Sequence, residues 1–444
     1  MADSQPLQST LVTDNHLPLS IIHHNHIFTL SFYPWIKEIG NSFDPSDPLY
    51  LIHRPSARVV IVVGHSPLKS EHLDLYPSVE VVVGTSAGVD HIDLAECRRR
   101  NIHVTGAGDA FSEDVADYAV ALLLDVLRHV SAADRYVRSG LWPVVGDYPL
   151  GNKEIINPLD PSDPSFLIHG PSARAVIVLG PSPLKSEHLD QYPSVEIVVG
   201  TSAGVDHIDL AECRRRNIHV TGAGDAFSED VADYAIALLL DVLRRVSAAD
   251  RYVRSGLWPV IGDYPLGNKL GGKRVGIVGF GSIGTMVGKR LEPFGCSIAY
   301  TSRNKKSQIP YPFYSTVLEL ATASDALILC CSLSDKTHHI VNREVLMALG
   351  KRGILVNIGR GAIVDEKELV KVLGGGELGG AGLDVYENEP EIPKELFTMD
   401  NVVLSPHRAV LTPESFGALK DVVIGNLKAF FSNKPLLSQV NLND

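Results

Sequence analysis

Residues 37–152 and 153–268 are one 116-residue segment written twice. About 14 positions differ between the copies, most of them conservatively, as at Val120/Ile236 and Val145/Ile261. The loop from Gly84 to Asp90 returns unchanged from Gly200 to Asp206. Repeat arrays run at periods of about 20–50 residues and need three or more units. Two long copies are a different arrangement: a recent internal duplication, a fusion, or a faulty gene reading. Whatever its origin, the repeat commits over half of the chain to one local fold taken twice.

Each copy reads as α/β. Arg58 to Gly64 and Val79 to Gly84 are short β-branched runs stopped by glycine, the pattern of buried parallel strands. Ser70 to Asp74 suggests a short helix between them. Ser112 is placed to cap a long helix through Leu124, with carboxylates in its first turn. Neither copy is a whole domain. An apolar stretch, Leu17 to Ile22, precedes copy 1 and offers a first strand, but no nucleotide module follows that copy. Copy 2 runs directly into one. Removing one 116-residue copy from the 444 leaves 328 residues with every part in order, so a 37–152 deletion is expected to retain activity.

That module opens with Lys273 to Val278, an apolar strand running into Gly279-Phe280-Gly281-Ser282-Ile283-Gly284. A helix is expected over Thr285 to Phe294, with Met286, Val287 and Leu291 inward. In such a loop the glycines allow a tight turn, close approach of the pyrophosphate, and close helix–strand packing, while the helix N-terminus favours phosphate. An NAD site usually places Asp or Glu at the end of the next strand, about 20 residues on, for the ribose 2′-OH. Here Thr301, Ser302, Arg303, Asn304, Lys305 and Lys306 follow that strand instead. Hydroxyl, guanidinium and ammonium groups suit a 2′-phosphate, so NADPH is the preferred cofactor and NADH remains possible.

Four further strands alternate with helical patterns, over 326–330, 353–358, 380–385 and 401–405. The expected architecture is a Rossmann-type doubly wound parallel sheet plus a flavodoxin-like α/β substrate domain, part of it in duplicate. Ligands bind such sheets outside the carboxyl ends of the strands. Arg360, Glu389 and His407 each follow a strand end. A guanidinium can clamp a carboxylate and keto oxygen through its planar fork. An imidazole can protonate the carbonyl oxygen, and a carboxylate beside it favours the charged ring. Behind a nucleotide loop, that ordered trio is a kit for reducing a 2-keto acid.

Composition narrows the alternatives. A formal charge of −12 argues against nucleic-acid binding, which needs a basic surface. No apolar run reaches membrane-spanning length. Residues Met1 to Gln5 lack a cationic start, and Leu442 to Asp444 is not a peroxisomal address. Five sparse cysteines suggest free thiols in a reducing compartment, so the cytosol is the expected address. Cys330 and Cys331 are expected to pack in a core strand. His23, His24 and His26 lack a spaced carboxylate or cysteine set and read as a solvated loop rather than a metal site.

The motifs just quoted, with Asn357 to Gly361, Val364 to Glu366, Gly382 to Val385, Glu389-Pro390 and Ser405 to His407, resemble the D-isomer-specific 2-hydroxyacid dehydrogenase family. The nearest likeness is to plant-type cytosolic glyoxylate/hydroxypyruvate and hydroxyphenylpyruvate reductases, over about 170–444 continuously and over copy 1 again. The resemblance implies that Arg360 binds substrate, Glu389 tunes the acid and His407 donates the proton. It implies that Asp384 faces the nicotinamide amide, that Ile358 and Gly359 line the cofactor site, and that Ser302, Arg303 and Asn304 face the adenosine phosphate. Backbone N–H groups of Ser202, Ala203 and Gly204 would hold the substrate carboxylate.

It also implies a homodimer and a discontinuous substrate domain: 1–152 as front strand plus extra copy, 153–228 with 413–444 as substrate domain, and 229–412 as NADP-binding domain. Copy 2, continuous with the cofactor module, is expected in the working position. Thr412 should cap the closing helix, with Pro413 in its first turn. Trp258 resembles a residue of the family's dimer arm, with core packing as the other reading. Two departures stand out: Arg408-Ala409-Val410 follows His407 where many relatives have Gly-Ser, and the segment is doubled. The implied activity is NADPH-dependent reduction of glyoxylate or hydroxypyruvate. Alternatives are reduction of 4-hydroxyphenylpyruvate, a nucleotide-binding scaffold of corepressor type, and a faulty gene fusion.

Overall fold

The computed structural model describes residues 19–22, 57–62, 67–142, 172–180 and 182–442. The His23, His24 and His26 cluster and the 150–156 junction between the copies lie outside the described residues. The chain divides into two compact units, residues 1–116 with 258–263, and residues 117–257 with 264–444.

The first unit holds a parallel sheet ordered β1-β2-β3-β4, from β1 (Leu19–Ile22), β2 (Val59–Val62), β3 (Val81–Gly84) and β4 (His103–Thr105). The apolar stretch ahead of copy 1 therefore does supply a strand, with Leu19 opposite Val59. Helices α1 (Ser70–Leu73) and α2 (Leu94–Arg99) lie between strands, and Asp93 caps α2 by accepting from the Glu96 N–H at 2.9 Å. Val60, Val62, Leu68, Leu73, Tyr76 and Val82 form the centre of its core.

Copy 1 continues into α3 (Ser112–Arg128) and α4 (Val130–Arg138). Ser112 is the first residue of α3 rather than its cap, because the 3₁₀ turn Gly108–Phe111 feeds into the helix without an extended break. Its repeat partner Ser228 behaves alike: Phe227 occupies the cap position and makes no side-chain cap bond.

In the second unit, copy 2 gives β5 (Ala175–Val178), α5 (Ser186–Leu189), β6 (Ile197–Gly200), α6 (Leu210–Arg215), β7 (His219–Thr221), α7 (Ser228–Arg244) and α8 (Val246–Arg254). Its parallel sheet runs β5-β6-β7. α7 is buried nearly all round, from Val231 to Leu243, which its apolar sequence demands. Trp258 opens the short α9 (Trp258–Ile261) and is 57% exposed, so the core-packing reading of that residue does not hold.

The nucleotide module follows: β8 (Arg274–Val278), α10 (Ser282–Leu291), β9 (Ser297–Thr301), α11 (Val317–Thr322), β10 (Ala326–Leu329), α12 (Arg343–Leu349), β11 (Ile354–Asn357), α13 (Glu366–Gly374), β12 (Gly380–Leu383) and β13 (Val402–Leu404). Its six strands are all parallel, ordered β13-β12-β11-β10-β8-β9. The chain closes with α14 (Pro413–Phe431), capped by Thr412 Oγ1, which accepts from the Ser415 N–H at 3.0 Å. Beyond it, the Val440 N–H donates to the Val220 carbonyl of β7 at 2.9 Å, tying the C-terminal residues back to the copy 2 sheet.

Candidate active site

Because β11, β12 and β13 are neighbours in the sheet, the turns after them share one edge. Arg360 follows β11, Glu389 lies in the turn after β12, and His407 follows β13. His407 Nδ1 meets Glu389 Oε2 at 2.7 Å, and Glu389 Oε1 accepts from the Tyr386 N–H at 2.9 Å. Both oxygens of the carboxylate are thus directed, one at the ring and one at its own loop. The imidazole side chain is 32% exposed, and with Nδ1 taken its other nitrogen, Nε2, is the one left to serve a substrate.

His407 sits at φ 45°, in the left-handed region that a side chain adopts at a cost. The surrounding bonds hold it there. Its N–H donates to the Asp384 carbonyl at 2.8 Å, and the Asp384 carboxylate accepts from the N–H groups of Arg408 at 2.8 Å and Ala409 at 3.0 Å. Ser405 Oγ also donates to that carboxylate, at 2.5 Å. Asp384 is only 1% exposed, so in this structure its carboxylate organises the loop that carries His407. Burial opposes charge on the His407 ring, but the hydrogen bond and field of Glu389, with Asp384 behind, outweigh it and raise the pKa above the usual value.

Arg360 lies against copy 2. Its Nη2 and Nε meet the two Asp206 carboxylate oxygens at 3.0 and 3.3 Å, and Nη1 donates to the Gly359 carbonyl at 2.9 Å. A Cβ built on Gly204 would fall 2.5 Å from Arg360 Nη2, so the guanidinium lies directly on the 202–204 loop. Ser202 Oγ donates to the Gly180 carbonyl in the turn after β5, tying the two loops together. Burial would raise the Asp206 carboxyl, but Arg360 beside it wins and holds it low.

The glycine loop fits a dinucleotide. Gly279 has φ 90°, and a Cβ there would lie 2.6 Å from the Cys331 backbone. A Cβ on Gly284 would lie 2.2 Å from the Gly279 carbonyl, so α10 can start against the strand only with glycine at that position. Gly281 has nothing within 4 Å on its Cβ side, leaving open approach to the N-terminus of α10, which begins at Ser282 rather than Thr285. Phe280 is buried, while Ser282 and Ile283 form the first turn of the helix.

At the end of β9 no carboxylate stands. Ser302 Oγ turns to the Asn304 carbonyl at 2.7 Å, Arg303 and Asn304 are exposed, and Lys306 Nζ reaches back to the Phe280 carbonyl of the glycine loop. Ile358 and Gly359 are buried behind the site, with the Gly359 N–H bonded to Asn357 Oδ1 at 3.1 Å. These residues could hold the adenosine and nicotinamide halves of a dinucleotide along one sheet edge.

Residues 236–409 match the NAD binding domain of the D-isomer specific 2-hydroxyacid dehydrogenases, and residues 44–145 match the catalytic domain of the same family. A glyoxylate/hydroxypyruvate reductase of Arabidopsis thaliana is 60% identical over 281 residues, 63% of this chain and 87% of that protein. The chain belongs to the D-isomer specific 2-hydroxyacid dehydrogenase family. It is therefore an NAD(P)-dependent oxidoreductase. A hydroxyphenylpyruvate reductase of Plectranthus scutellarioides is 49% identical, over 63% of this chain and 90% of that protein. Among solved structures, an NADPH-dependent glyoxylate/hydroxypyruvate reductase from Sinorhizobium meliloti, in complex with NADP and malonate, superposes with a TM-score of 0.59. It is 40% identical over 61% of this chain and 85% of that one.

Within this 2-hydroxyacid dehydrogenase, sequence reasoning missed two participants. Asp206 stands in the sequence as the last residue of a repeated loop, yet it fixes the Arg360 fork. Tyr386 was not singled out, yet its N–H holds Glu389 and its hydroxyl donates to the Leu383 carbonyl and accepts from the Ser405 N–H, both at 3.1 Å. The Asp206 signal was present: a carboxylate in a Gly-rich loop is a ready partner for an arginine expected nearby. Nothing in the sequence marked Tyr386.

Proposed function

We propose that this chain reduces glyoxylate or hydroxypyruvate, to glycolate or glycerate, with NADPH as donor. The observation that carries the reading is the His407–Glu389 pair at 2.7 Å, which joins the turns after β13 and β12, next to the β11 end that bears Arg360. When bound, a nicotinamide dinucleotide would supply hydride chemistry for the carbonyl carbon. His407 Nε2 donates the proton to the carbonyl oxygen, while Glu389 keeps Nδ1 engaged and the ring charged. Arg360 and the backbone N–H groups of Ser202, Ala203 and Gly204 hold the carboxylate and set the face presented. Asp384 keeps the 405–409 loop in place, so the ring arrives in one orientation.

Preference for NADPH is supported by Ser302, Arg303 and Asn304 standing where an NAD site would place a carboxylate, and by Lys306 bonded to the glycine loop. Residues 153–228 with 413–444 would form the substrate-binding part, and 229–412 the dinucleotide-binding part. The cytosol is the proposed location. The homodimer implied by family resemblance is the assembly to expect only of a chain whose partner-facing surface is open. A second substrate reading, 4-hydroxyphenylpyruvate, is favoured by the 49% identical hydroxyphenylpyruvate reductase.

The test is oxidation of NADPH and NADH by purified protein with glyoxylate, hydroxypyruvate and 4-hydroxyphenylpyruvate. The reading expects NADPH and the small keto acids to give the highest kcat/KM. A clear advantage for NADH would overturn the role given to the 302–306 turn, and preference for the aromatic acid would select the second reading.

A further inference from the structure

The two copies exchange contacts with each other. Arg135 on α4 pairs with Asp250 on α8, and Arg251 on α8 pairs with Asp134 on α4. Positions 134 and 250 are the same place in the repeat, as are 135 and 251, so each copy gives what it receives. The exchange recurs on the longer helices: the Arg128 guanidinium lies 5.2 Å from the Tyr234 ring centre, and that of Arg244 lies 5.4 Å from the Tyr118 ring. Reciprocal contact, where i meets j and j meets i, defines a self-complementary two-fold interface, ordinarily made by two molecules. Here one chain makes it with itself.

Past that interface the symmetry stops. The copy 1 segment goes on to grip the strand that leads into His407. Asp134, fully buried, accepts from the Leu404 N–H at 3.0 Å. Arg128 donates to the Ala409 carbonyl at 2.7 Å, two residues beyond His407. Arg138 donates to the Phe397 carbonyl at 2.6 Å and to the Val402 carbonyl of β13. Trp142, 4% exposed, packs on Tyr386 with ring centres 5.7 Å apart, behind the residue whose N–H holds Glu389. At the equivalent copy 2 position Trp258 is 57% exposed, while Arg254 repeats toward Asp250 the bond within its own helix that Arg138 makes to Asp134.

We propose that residues 117–142 of copy 1 act as an internal partner arm. They fill, within one chain, the seat on the nucleotide module that residues 233–258 of a second molecule would fill, and they brace the His407 segment from behind. Copy 1 is thus neither a second active site nor idle length. Its arm completes the one site, and the face through which two chains would pair is satisfied in cis. Arg128 is a positioning residue: it touches no substrate and acts through the 407–409 backbone.

Sedimentation velocity of the full chain, and of the chain lacking residues 37–152, reads assembly with no substrate present. The full chain should sediment as one 48.1 kDa copy. The 328-residue variant should pair, using the vacated seat, and its specific activity should fall about tenfold or more on dilution below its dissociation midpoint while that of the full chain stays constant. Pairing by both chains, or a monomeric deletion variant with undiminished turnover, would overturn the proposal.

Should the deletion prevent folding, full-length Arg128→Ala decides. It should lower kcat about tenfold with the NADPH KM unchanged, and equal kcat would overturn the bracing role. The activity measurements rest on the proposed reduction, whereas sedimentation does not. Assembly as expected without keto-acid turnover would therefore refute the substrate reading and leave the arm standing.

Discussion

At the scale of single residues, the charge on His407 is the quantity most open to experiment. Burial alone would push its pKa down, and Glu389 pulls it above the usual value. For reduction the ring must carry the proton, so turnover should hold through neutral pH and fall as pH rises through that raised pKa. Glu389→Gln keeps the shape and removes the charge, so the falling limb should move to lower pH, with kcat at pH 8 reduced about 10²-fold. An unmoved limb in the pH profile would refute the pairing. Arg360→Lys should raise the keto-acid KM about tenfold or more with the NADPH KM unchanged, because an ammonium cannot reproduce the fork that meets Asp206 through two nitrogens. Arg360, Glu389 and His407 were legible because each follows a short apolar strand run, and consecutive strands of a parallel sheet end at one edge. Tyr386 was not, since its role depends on packing between segments far apart in sequence, and Asp206 was legible only as a carboxylate in a Gly-rich loop, with its pairing to Arg360 set by the fold. The buried hydrogen bonds of the Asp384 carboxylate were equally invisible; a motif places a residue near a site but does not say which groups its oxygens accept from.

At the scale of elements, the glycines separate structural from functional demands. A Cβ on Gly361 would lie 1.8 Å from the Tyr386 backbone, so the turn after β11 can lie against the turn after β12 only with glycine there. Gly361→Ala should cost about 3 kcal/mol or more, read by urea unfolding, and should disturb the Tyr386 N–H that holds Glu389. Gly281 is the contrast, with nothing within 4 Å of its Cβ position. Gly281→Ala should fold normally, with an unfolding midpoint near that of the parent, yet raise the NADPH KM several-fold by crowding the phosphate approach. An unchanged KM would mean that the loop does not approach phosphate closely. Strands were read well from sequence because parallel strands buried on both faces need continuous apolar runs, as β10 and β11 have. Helix starts were read less well. Ser112 looks like a cap but continues a 3₁₀ turn, and α10 begins at Ser282, three residues before the start expected at Thr285, because the glycine loop leads straight into it.

At the scale of the whole molecule, the repeat does not define the units. Copy 1 is cut between Ala116 and Asp117: its strands belong to one compact unit, and its arm belongs to the unit that carries the nucleotide module. The first unit has its own core, around Val60, Leu68, Leu73, Tyr76 and Val82, and contains none of the residues assigned to dinucleotide or substrate. A ligand that binds only the folded form of one unit stabilises that unit, by about 2.7 kcal/mol at one hundred times its Kd. Calorimetry should therefore resolve two transitions, and saturating NADPH should raise only the one that loses the second unit. Fluorescence can assign it, because Trp142 and Trp258 fall in different units and differ in burial, 4% against 57% exposed. Trp142→Phe should leave the NADPH-sensitive transition without its fluorescence change. One transition, moved as a whole by NADPH, would mean that the first unit folds only with the second. The short strand Leu19–Ile22 and the rest of the first unit would then stand or fall with the dinucleotide site.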